Sequence, residues 1–243
     1  MIDLVIPLGW GSIWNNQEIK YSLRSFERHL SGIGNVFIVT DISGLPKFLT
    51  NVIHLPCPDD TNLPAINTFK KILKACKDKR VSENFLLSND DFMLNKDYQA
   101  ESFPYYHRGQ ILRGYDPQKT KSSFYVVSRR ITSNVLQNKG LSTLHYGVHC
   151  PFLINKTKFL QLEKQFRWER SKGYLTRCIY GNVFQVGGEQ TKDIKINKKL
   201  PAWKIKRITA ELDFYSVGER ATGPELYKFF EQRYPKPSQW EKI

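Results

Sequence analysis

Cysteine is scarce in this sequence, and long apolar runs are missing from it. The 243 residues include four cysteines, which are widely spaced and form no CxxC pair. That spacing indicates neither a zinc knuckle nor a disulfide scaffold, so we expect reduced thiols. No apolar run approaches the ~18 residues that a membrane-spanning helix needs, and the first residues lack the basic flank and apolar core of a signal peptide. The sequence therefore predicts a cytoplasmic protein with no transmembrane segment.

Internal repeats and low-complexity linkers are also missing. A chain of 243 residues with 40% hydrophobic and 13% aromatic content can form one sizeable packed domain. We therefore predict a single domain over residues 1–243, with a first half at 1–95 and a more elaborate second half at 96–243.

Acidic residues are few relative to basic ones. The sequence has 37 lysines and arginines against 23 aspartates and glutamates, which gives a net charge of +14 and a pI near 9.6. The basic excess is concentrated between residues 119 and 207. Such an excess predicts an anionic partner, and nucleic acid is one possibility. A solvated basic surface without a partner is the alternative.

Short apolar runs alternate with amphipathic stretches in the first half. The runs that predict buried strands lie at 2–7, 36–40, 52–55 and 85–87. Ile19, Leu23 and Phe26 share one face of a predicted helix, and residues 64–77 predict a second helix. Strands joined by such helices form a mainly parallel sheet flanked by helices, so the predicted fold class is α/β.

The second half is predicted as an elaborated α+β region. The β-branched run at 122–127 predicts one more strand, and Asn155 or Thr157 is placed to cap a helix. A last helix is predicted from Pro224, a residue type that is favoured in the first turn.

Two adjacent carboxylates follow the strand at 85–87. Asn89, Asp90 and Asp91 lie where this strand ends, which is the edge at which open α/β sheets bind ligands. Two neighbouring carboxylates repel unless a cation or proton separates them. Mg²⁺ or Mn²⁺ typically takes one or two carboxylates plus substrate phosphates, so the pair predicts a divalent metal at a nucleotide-diphosphate site. A turn cap at Asp90 with a solvated Asp91 is the alternative.

Other residues of the first half are predicted to bind the same ligand. Gly9 permits close backbone approach and Trp10 could stack on a base, although Trp10 could equally be core. Arg24 could reach a diphosphate or pair with Glu27 on its own helix. Two further positions at this edge are Asp41, which ends a strand, and Asn67, which could contact a sugar or cap a turn.

Four blocks of the first half resemble the central conserved region of the Stealth family of sugar-phosphate transferases, in the same order and at similar spacing. They are residues 18–28, 36–41, 63–68 and 85–94. In the second half, His149 and Pro151 are similar to the family's His-x-Pro block. Arg170 lies about where the family has an Arg-containing segment.

The resemblance implies a fold of the GT-A glycosyltransferase type and a nucleotide-diphosphate sugar as the donor. The sequence departs from the family at two places. The loop at 8–12 has no acidic residue where the family's first block has an aspartate, and residues 214–219 replace its final acidic block. Plain glycosyl transfer therefore stays open beside sugar-1-phosphate transfer.

Either reaction needs a base that activates an acceptor hydroxyl. His149 is the predicted base because imidazole titrates near neutral pH, and His145 is the second candidate. A hydrogen-bonded core histidine is the alternative. Asp91, with the metal that it shares with Asp90, completes the predicted catalytic set. The predicted acceptor-binding residues come from the basic second half and are Arg170, Lys204, Lys206 and Arg207.

The sequence as a whole predicts a metal-dependent transferase. Residues 1–95 would bind the nucleotide-diphosphate sugar, and residues 96–243 would bind the acceptor. We expect transfer of a sugar or sugar-1-phosphate to a hydroxyl of an anionic polymer, either a polysaccharide or a hydroxylated base in DNA. A non-catalytic nucleic-acid-binding module on a GT-A-like scaffold is the rival hypothesis, favoured by the basic charge and the aromatic residues within it.

Overall fold

The computed structural model describes residues 1–9, 12–114, 123–168 and 173–242. In these ranges the chain is a mixed α/β protein with a mainly parallel central sheet flanked by helices. This architecture confirms the predicted fold class and is compatible with a GT-A-like fold. The division into two functional halves stays a prediction.

The central sheet consists mainly of the predicted strands. Its parallel members are β1 (Ile2–Pro7), β3 (Ile33–Thr40), β4 (Ile53–Pro56) and β5 (Asn84–Leu87). An edge strand, β9 (Phe152–Asn155), runs antiparallel to β5. The order in the described residues is β4-β3-β1-β5-β9. The chain segments that follow β1 and β5 therefore leave the sheet side by side, at its carboxyl edge.

Both faces of the sheet are buried, and this explains why the strands are continuously apolar. Leu4 and Ile6 of β1 belong to one core, which they share with helix α1 (Gln17–His29). The residue between them, Val5, belongs to a second core, formed with helix α2 (Pro64–Lys77). Successive side chains of a strand point to opposite faces, so both cores need apolar residues. Burial of each such side chain contributes about 1.5–3 kcal/mol.

The helices of the second half include one that was predicted as a strand. Residues 124–127 form the start of helix α3 (Phe124–Gln137), residue 123 is its N-cap, and residue 122 lies outside the described residues. The Ser123 side chain accepts a hydrogen bond from the backbone N–H of Val126, which caps the first turn. The strand prediction at 122–127 is therefore wrong, because a serine cap outweighs the β-branched composition.

The remaining α-helices are α4 (Lys156–Gln165), α5 (Thr176–Val183), α6 (Ala202–Thr209) and α7 (Pro224–Arg233). Two of them, α4 and α7, were predicted from the sequence, whereas α5 and α6 were not. Asn155 caps α4 as predicted by accepting from the Lys158 N–H, and the last helix begins at Pro224. None of the helices in the described part of the chain is long and apolar enough to cross a membrane.

Short strands complete the fold. The pairs are β2 (Leu30–Ser31) with β7 (Tyr98–Gln99) and β8 (Tyr106–His107) with β10 (Glu189–Gln190). A small sheet contains β6 (Phe92–Leu94), β11 (Lys195–Ile196) and β12 (Phe214–Val217), in the order β11-β12-β6. Since β6 begins directly after Asp91, this sheet brings the segment around residue 195 to the carboxylate pair.

Candidate active site

The predicted carboxylate pair lines a cavity at the carboxyl edge of the central sheet. Asp90 and Asp91 are half-buried, and the cavity has a volume of about 480 Å³. Gly9, which follows β1, lies on its wall, while Trp10 lies outside the described residues. The adjacency of β1 and β5 brings these residues together, although they are far apart in the sequence.

Acidic side chains outnumber basic ones in this cavity. Among the described residues, its acidic members are Glu18, Asp90, Asp91 and Glu219, and its basic members are Lys195 and Arg220. Burial raises the pKa of Asp90 to about 8, and the neighbouring charges of Asp91 and Glu18 add to the rise. An anionic diphosphate would meet repulsion here unless a cation entered with it.

One oxygen of Asp91 has no hydrogen-bond partner among the described residues. Its Oδ2 accepts from the Lys195 ammonium at 2.8 Å and from the Ser216 hydroxyl at 3.3 Å. Its Oδ1 is buried and makes no hydrogen bond with any described residue. A buried carboxylate oxygen without a partner costs free energy, and a ligand or cation would remove that cost.

The donor set fits a divalent ion that is shared with a substrate. No group of three or more His, Cys, Asp or Glu side chains in the described ranges could hold a metal by itself. A Mg²⁺-type site with one or two carboxylates and substrate phosphates needs no such group. The orphaned Oδ1 of Asp91 and the raised pKa of Asp90 are consistent with that kind of site.

Glu18 is a cavity residue that the sequence did not single out as part of the site. It lies in the first turn of α1, and both its carboxylate oxygens accept from the Ser12 hydroxyl, at 2.7 and 2.9 Å. Burial raises its pKa, despite the opposing hydrogen bonds. The sequence signal that could have identified Glu18 is its position, since it is an acidic residue at the start of the helix that follows the loop after β1.

His149 is held by a carboxylate that the sequence did not identify. Its Nδ1 lies 2.7 Å from Oδ2 of Asp193, and its backbone N–H donates to Oδ1 of the same residue at 3.0 Å. A carboxylate accepts only, so Nδ1 carries the proton and Nε2 is the basic nitrogen of the neutral ring. This nitrogen makes no hydrogen bond within the described residues. The pair therefore has the geometry of an oriented general base.

Asp193 stays ionised although its side chain is only 1% exposed. Burial opposes the charge, but the hydrogen bonds from His149 and the charge of Arg108 outweigh it and hold the pKa of Asp193 below its usual value. The Arg108 guanidinium lies 3.4 Å from Oδ2. An ionised partner at Nδ1 keeps the neutral ring of His149 in one tautomer.

The His149–Asp193 pair and the acidic cavity are parts of one region. Phe92 follows Asp91 directly, and its ring lies edge-on to His149 with the ring centroids 5.8 Å apart. Asp193 and Lys195, which contacts Asp91, are two residues apart in the chain. The predicted base and the predicted metal ligands are thus brought together.

Arg177 of α5 fixes the segment that carries His149. Its Nη1 donates to the carbonyl oxygens of Val148 and Cys150, at 2.9 and 3.0 Å, which are the residues on either side of His149. The guanidinium also lies 5.3 Å from the centre of the Phe92 ring. Burial lowers its pKa, and the charges of Asp193 and Asp91 oppose this. No local motif in the sequence marks this arginine.

His145 is unsuited to the role of base. Its Nδ1 accepts from the Gly147 N–H at 3.1 Å, and its Nε2 lies 2.9 Å from the Tyr125 hydroxyl. Burial lowers its pKa to about 4, and the charge of Arg108 contributes. Both ring nitrogens are occupied, so the geometry favours His149 over this second candidate.

Arg24 lies in a buried ion pair. Two guanidinium nitrogens donate to the carboxylate of Glu241, both at 2.8 Å, and a third donates to the carbonyl of Tyr234 at 2.7 Å. The side chains of Arg24 and Glu241 are 5% and 4% exposed. Arg24 does not line the acidic cavity, and Glu27 is not its partner. This placement favours a structural role over contact with a donor.

We expect Arg24→Ala to lower the free energy of unfolding by about 3–5 kcal/mol, because it leaves the Glu241 carboxylate buried without its partner. Denaturant titration measures the change. The matched control is Lys77→Ala, whose exposed pair with Glu163 should contribute no more than about 1 kcal/mol. Equal effects of the two substitutions would contradict a structural role for Arg24.

The other predicted donor-binding residues lie outside the cavity lining. Asp41 follows β3 and accepts from its neighbour's backbone N–H. The side-chain amide of Asn67 donates to the carbonyl of Thr61 at 2.8 Å. This contact agrees with the alternative interpretation of Asn67 as a turn cap. Asn89 is exposed. Contact of these residues with a donor stays a prediction.

The predicted acceptor residues that the structure describes lie on α6. Lys206 and Arg207 are exposed and Lys204 is half-buried. Arg207 lies over the ring of Trp203, at 5.7 Å from its centre, and Trp203 is 63% exposed. Arg170 lies outside the described residues. These side chains line neither the acidic cavity nor a second cavity, whose lining includes Asp193.

The fold and the site define an α/β protein with an acidic cavity at the carboxyl edge of its central sheet. Known proteins that are similar to the chain include phosphotransferases. The chain is 31% identical over 112 residues to the N-acetylglucosamine-1-phosphotransferase subunits alpha/beta of Mus musculus and of Homo sapiens, which covers 40% of the chain and 8% of each relative. It is also 22% identical over 274 residues to an exopolysaccharide phosphotransferase of Mycobacterium leprae, which covers 93% of the chain and 49% of the relative.

A similar exopolysaccharide phosphotransferase of Streptomyces coelicolor is 23% identical over 175 residues, covering 65% of the chain and 30% of the relative. No family model matches the chain. The chain spans at most about half the length of these curated relatives. The relatives are thus distant, and their names describe phosphotransferases that act on a sugar or an exopolysaccharide.

Proposed function

We propose that this protein is a sugar-phosphate transferase related to the Stealth family. It would transfer a sugar-1-phosphate from a nucleotide-diphosphate sugar to a hydroxyl of an anionic polymer. The observation that carries the proposal is the oriented base His149–Asp193, which lies beside a cavity with the carboxylates Asp90 and Asp91. The phosphotransferase names of the distant relatives support the same chemistry.

Donor binding is assigned to the acidic cavity. Asp90 and Asp91 would hold a Mg²⁺ or Mn²⁺ ion, which supplies charge neutralisation for the diphosphate. Lys195 and Arg220, which are basic residues of the lining, would add positive charge near the same phosphates. Gly9 lets the diphosphate approach the backbone closely.

His149 is assigned to the acceptor hydroxyl. Its Nε2 would take the hydroxyl proton while the acceptor oxygen forms a bond to the sugar-bearing phosphorus. The bond from that phosphorus to the bridging oxygen breaks, and nucleoside monophosphate leaves with the electron pair. Asp193 stabilises the imidazolium that results, and Arg177 keeps the histidine segment in place.

Two rival functions have observations in their favour. Plain glycosyl transfer would use the same donor and base, and the replacement of the family's last acidic block favours it. A non-catalytic nucleic-acid module is favoured by the exposed Trp203 with Arg207 over it, because an aromatic side chain beside a cation suits base stacking.

A panel of nucleoside diphosphate sugars, each with Mg²⁺ or Mn²⁺ and a saccharide acceptor mixture, tests for enzyme activity. We expect release of free nucleotide from at least one donor at a rate that depends on the acceptor. The proposal would be contradicted if none of the donors in the panel gave nucleotide release and the protein bound single-stranded DNA tightly. That result would favour the binding module.

A further inference from the structure

A second cavity of about 730 Å³ lies on the other side of the segment that carries Asp193. Its charge has the opposite sign from that of the acidic cavity. Its basic lining residues in the described part of the chain are Arg108, Arg113, Arg129 and Lys192. The acidic member of this lining is Asp193, whose charge is matched by Arg108 and hydrogen-bonded to His149. We call this space the arginine cavity.

Part of the positive charge in the arginine cavity has no ion-pair partner among the described residues. The side chains of Arg113 and Lys192 are exposed and make no ion pair or hydrogen bond with a described residue. Arg129 is instead held by the backbone, since its guanidinium donates to the carbonyls of Ile111 and Arg113. A fixed guanidinium beside two cations that no described residue pairs with favours an anionic ligand.

A hydroxyl donor, the side chain of Tyr125, also lines the arginine cavity. Because the Gly147 N–H donates to Nδ1 of His145, the proton of the neutral ring is on Nε2 and is donated to the Tyr125 oxygen. The Tyr125 hydroxyl proton is then left to donate elsewhere. Both rings line the arginine cavity, so the hydroxyl supplies a further donor beside the guanidinium groups.

The arginine cavity lies on the base side of the candidate active site. Asp193 is on its wall and holds the His149 ring, whereas Lys195, two residues on, lines the acidic cavity. The base is thus anchored between a cavity suited to a metal-bound diphosphate and one suited to a bare anion. An acceptor must reach the base from a direction that the donor does not occupy.

We propose that the arginine cavity binds a phosphate group carried by the acceptor. Several guanidinium and hydroxyl donors around one space suit a tetrahedral phosphate, which has more acceptor oxygens and more charge than a carboxylate. This inference rests on the proposed function only where it identifies the phosphate-bearing molecule as the acceptor. The phosphate site itself follows from the residues in the cavity.

The test uses inorganic phosphate and the double variant Arg113→Gln, Lys192→Gln. Both side chains are exposed, so we expect the variant to fold. Calorimetric titration should show phosphate binding weakened by at least about tenfold, as expected for the loss of two charge-assisted contacts. The charge-matched control is Lys79→Gln, Arg130→Gln, which removes two exposed charges outside the cavity and should bind phosphate like the wild type.

A second arm separates the possible sources of the phosphate. In a turnover assay, inorganic phosphate should compete with the acceptor and not with the nucleotide sugar. Competition with the nucleotide sugar would overturn the proposal by assigning the cavity to the donor. Equal weakening of phosphate binding in the double variant and the control would also overturn it. A protein without turnover that still loses phosphate binding in the double variant would refute the proposed function and retain the phosphate site.

Discussion

His149→Ala is expected to lower kcat by ~10²- to 10⁴-fold while the protein stays folded and donor affinity is largely kept. The reason is that the Nε2 of His149 is the nitrogen left basic by the hydrogen bond to Asp193. Steady-state kinetics with saturating donor and acceptor measure the loss, and equilibrium titration with the nucleotide sugar measures donor affinity.

Asp193→Asn is the companion variant for this prediction. It keeps the shape of the side chain but removes the charge that fixes the histidine tautomer, so kcat should fall. Full activity of a folded His149→Ala protein would move the base elsewhere. Unfolding of His149→Ala, with Asp193→Asn folded and fully active, would indicate a core histidine.

The second large effect is expected at the carboxylate pair. Asp91→Asn should lower turnover by ~10²-fold or more and weaken Mn²⁺-dependent donor binding, because the transition state loses charge stabilisation. The amide can still accept from Lys195 and Ser216, so the variant should fold. Asp90→Asn is expected to act in the same direction, and removal of divalent ions by chelation should stop turnover in the wild type.

Asp60→Asn is the matched control, since Asp60 is an exposed carboxylate that pairs with Lys70 and does not line the acidic cavity. Its turnover should equal that of the wild type. Removed charge stabilisation predicts a large loss of activity in both Asp90→Asn and Asp91→Asn. If both variants instead keep turnover and Mn²⁺-dependent donor affinity within about twofold of wild type, the pair holds no catalytic metal.

The sequence predicted the central sheet well because its signals are local. A strand that is buried on both faces must be apolar at every position, and the run at 85–87 shows this directly. The carboxylates that follow it then fall at the ligand edge by topology alone. The same reasoning failed at 122–127, where β-branched residues suggested a strand and a serine cap with its helix was found.

The partners of the candidate base could not be predicted in this way. Asp193 lies 44 residues from His149 in the sequence, and their contact depends on how β11 joins the small sheet. Arg177 and Glu18 reach the site from separate helices, and no spacing rule connects them with the carboxylate pair. The structural role of Arg24 was missed for the same reason. Its buried partner Glu241 lies 217 residues away in the sequence, and no helix-face rule could identify it.

The central claim is tested most directly with a nucleotide sugar whose phosphorus next to the sugar is radioactive. The measurement is which product carries the label after the reaction. The proposed transfer moves that phosphorus to the acceptor together with the sugar and releases nucleoside monophosphate. We therefore predict labelled polymer and unlabelled nucleoside monophosphate in equal amounts, and neither in His149→Ala. Labelled nucleoside diphosphate with an unlabelled glycosylated polymer would contradict sugar-phosphate transfer and show that the sugar alone is moved.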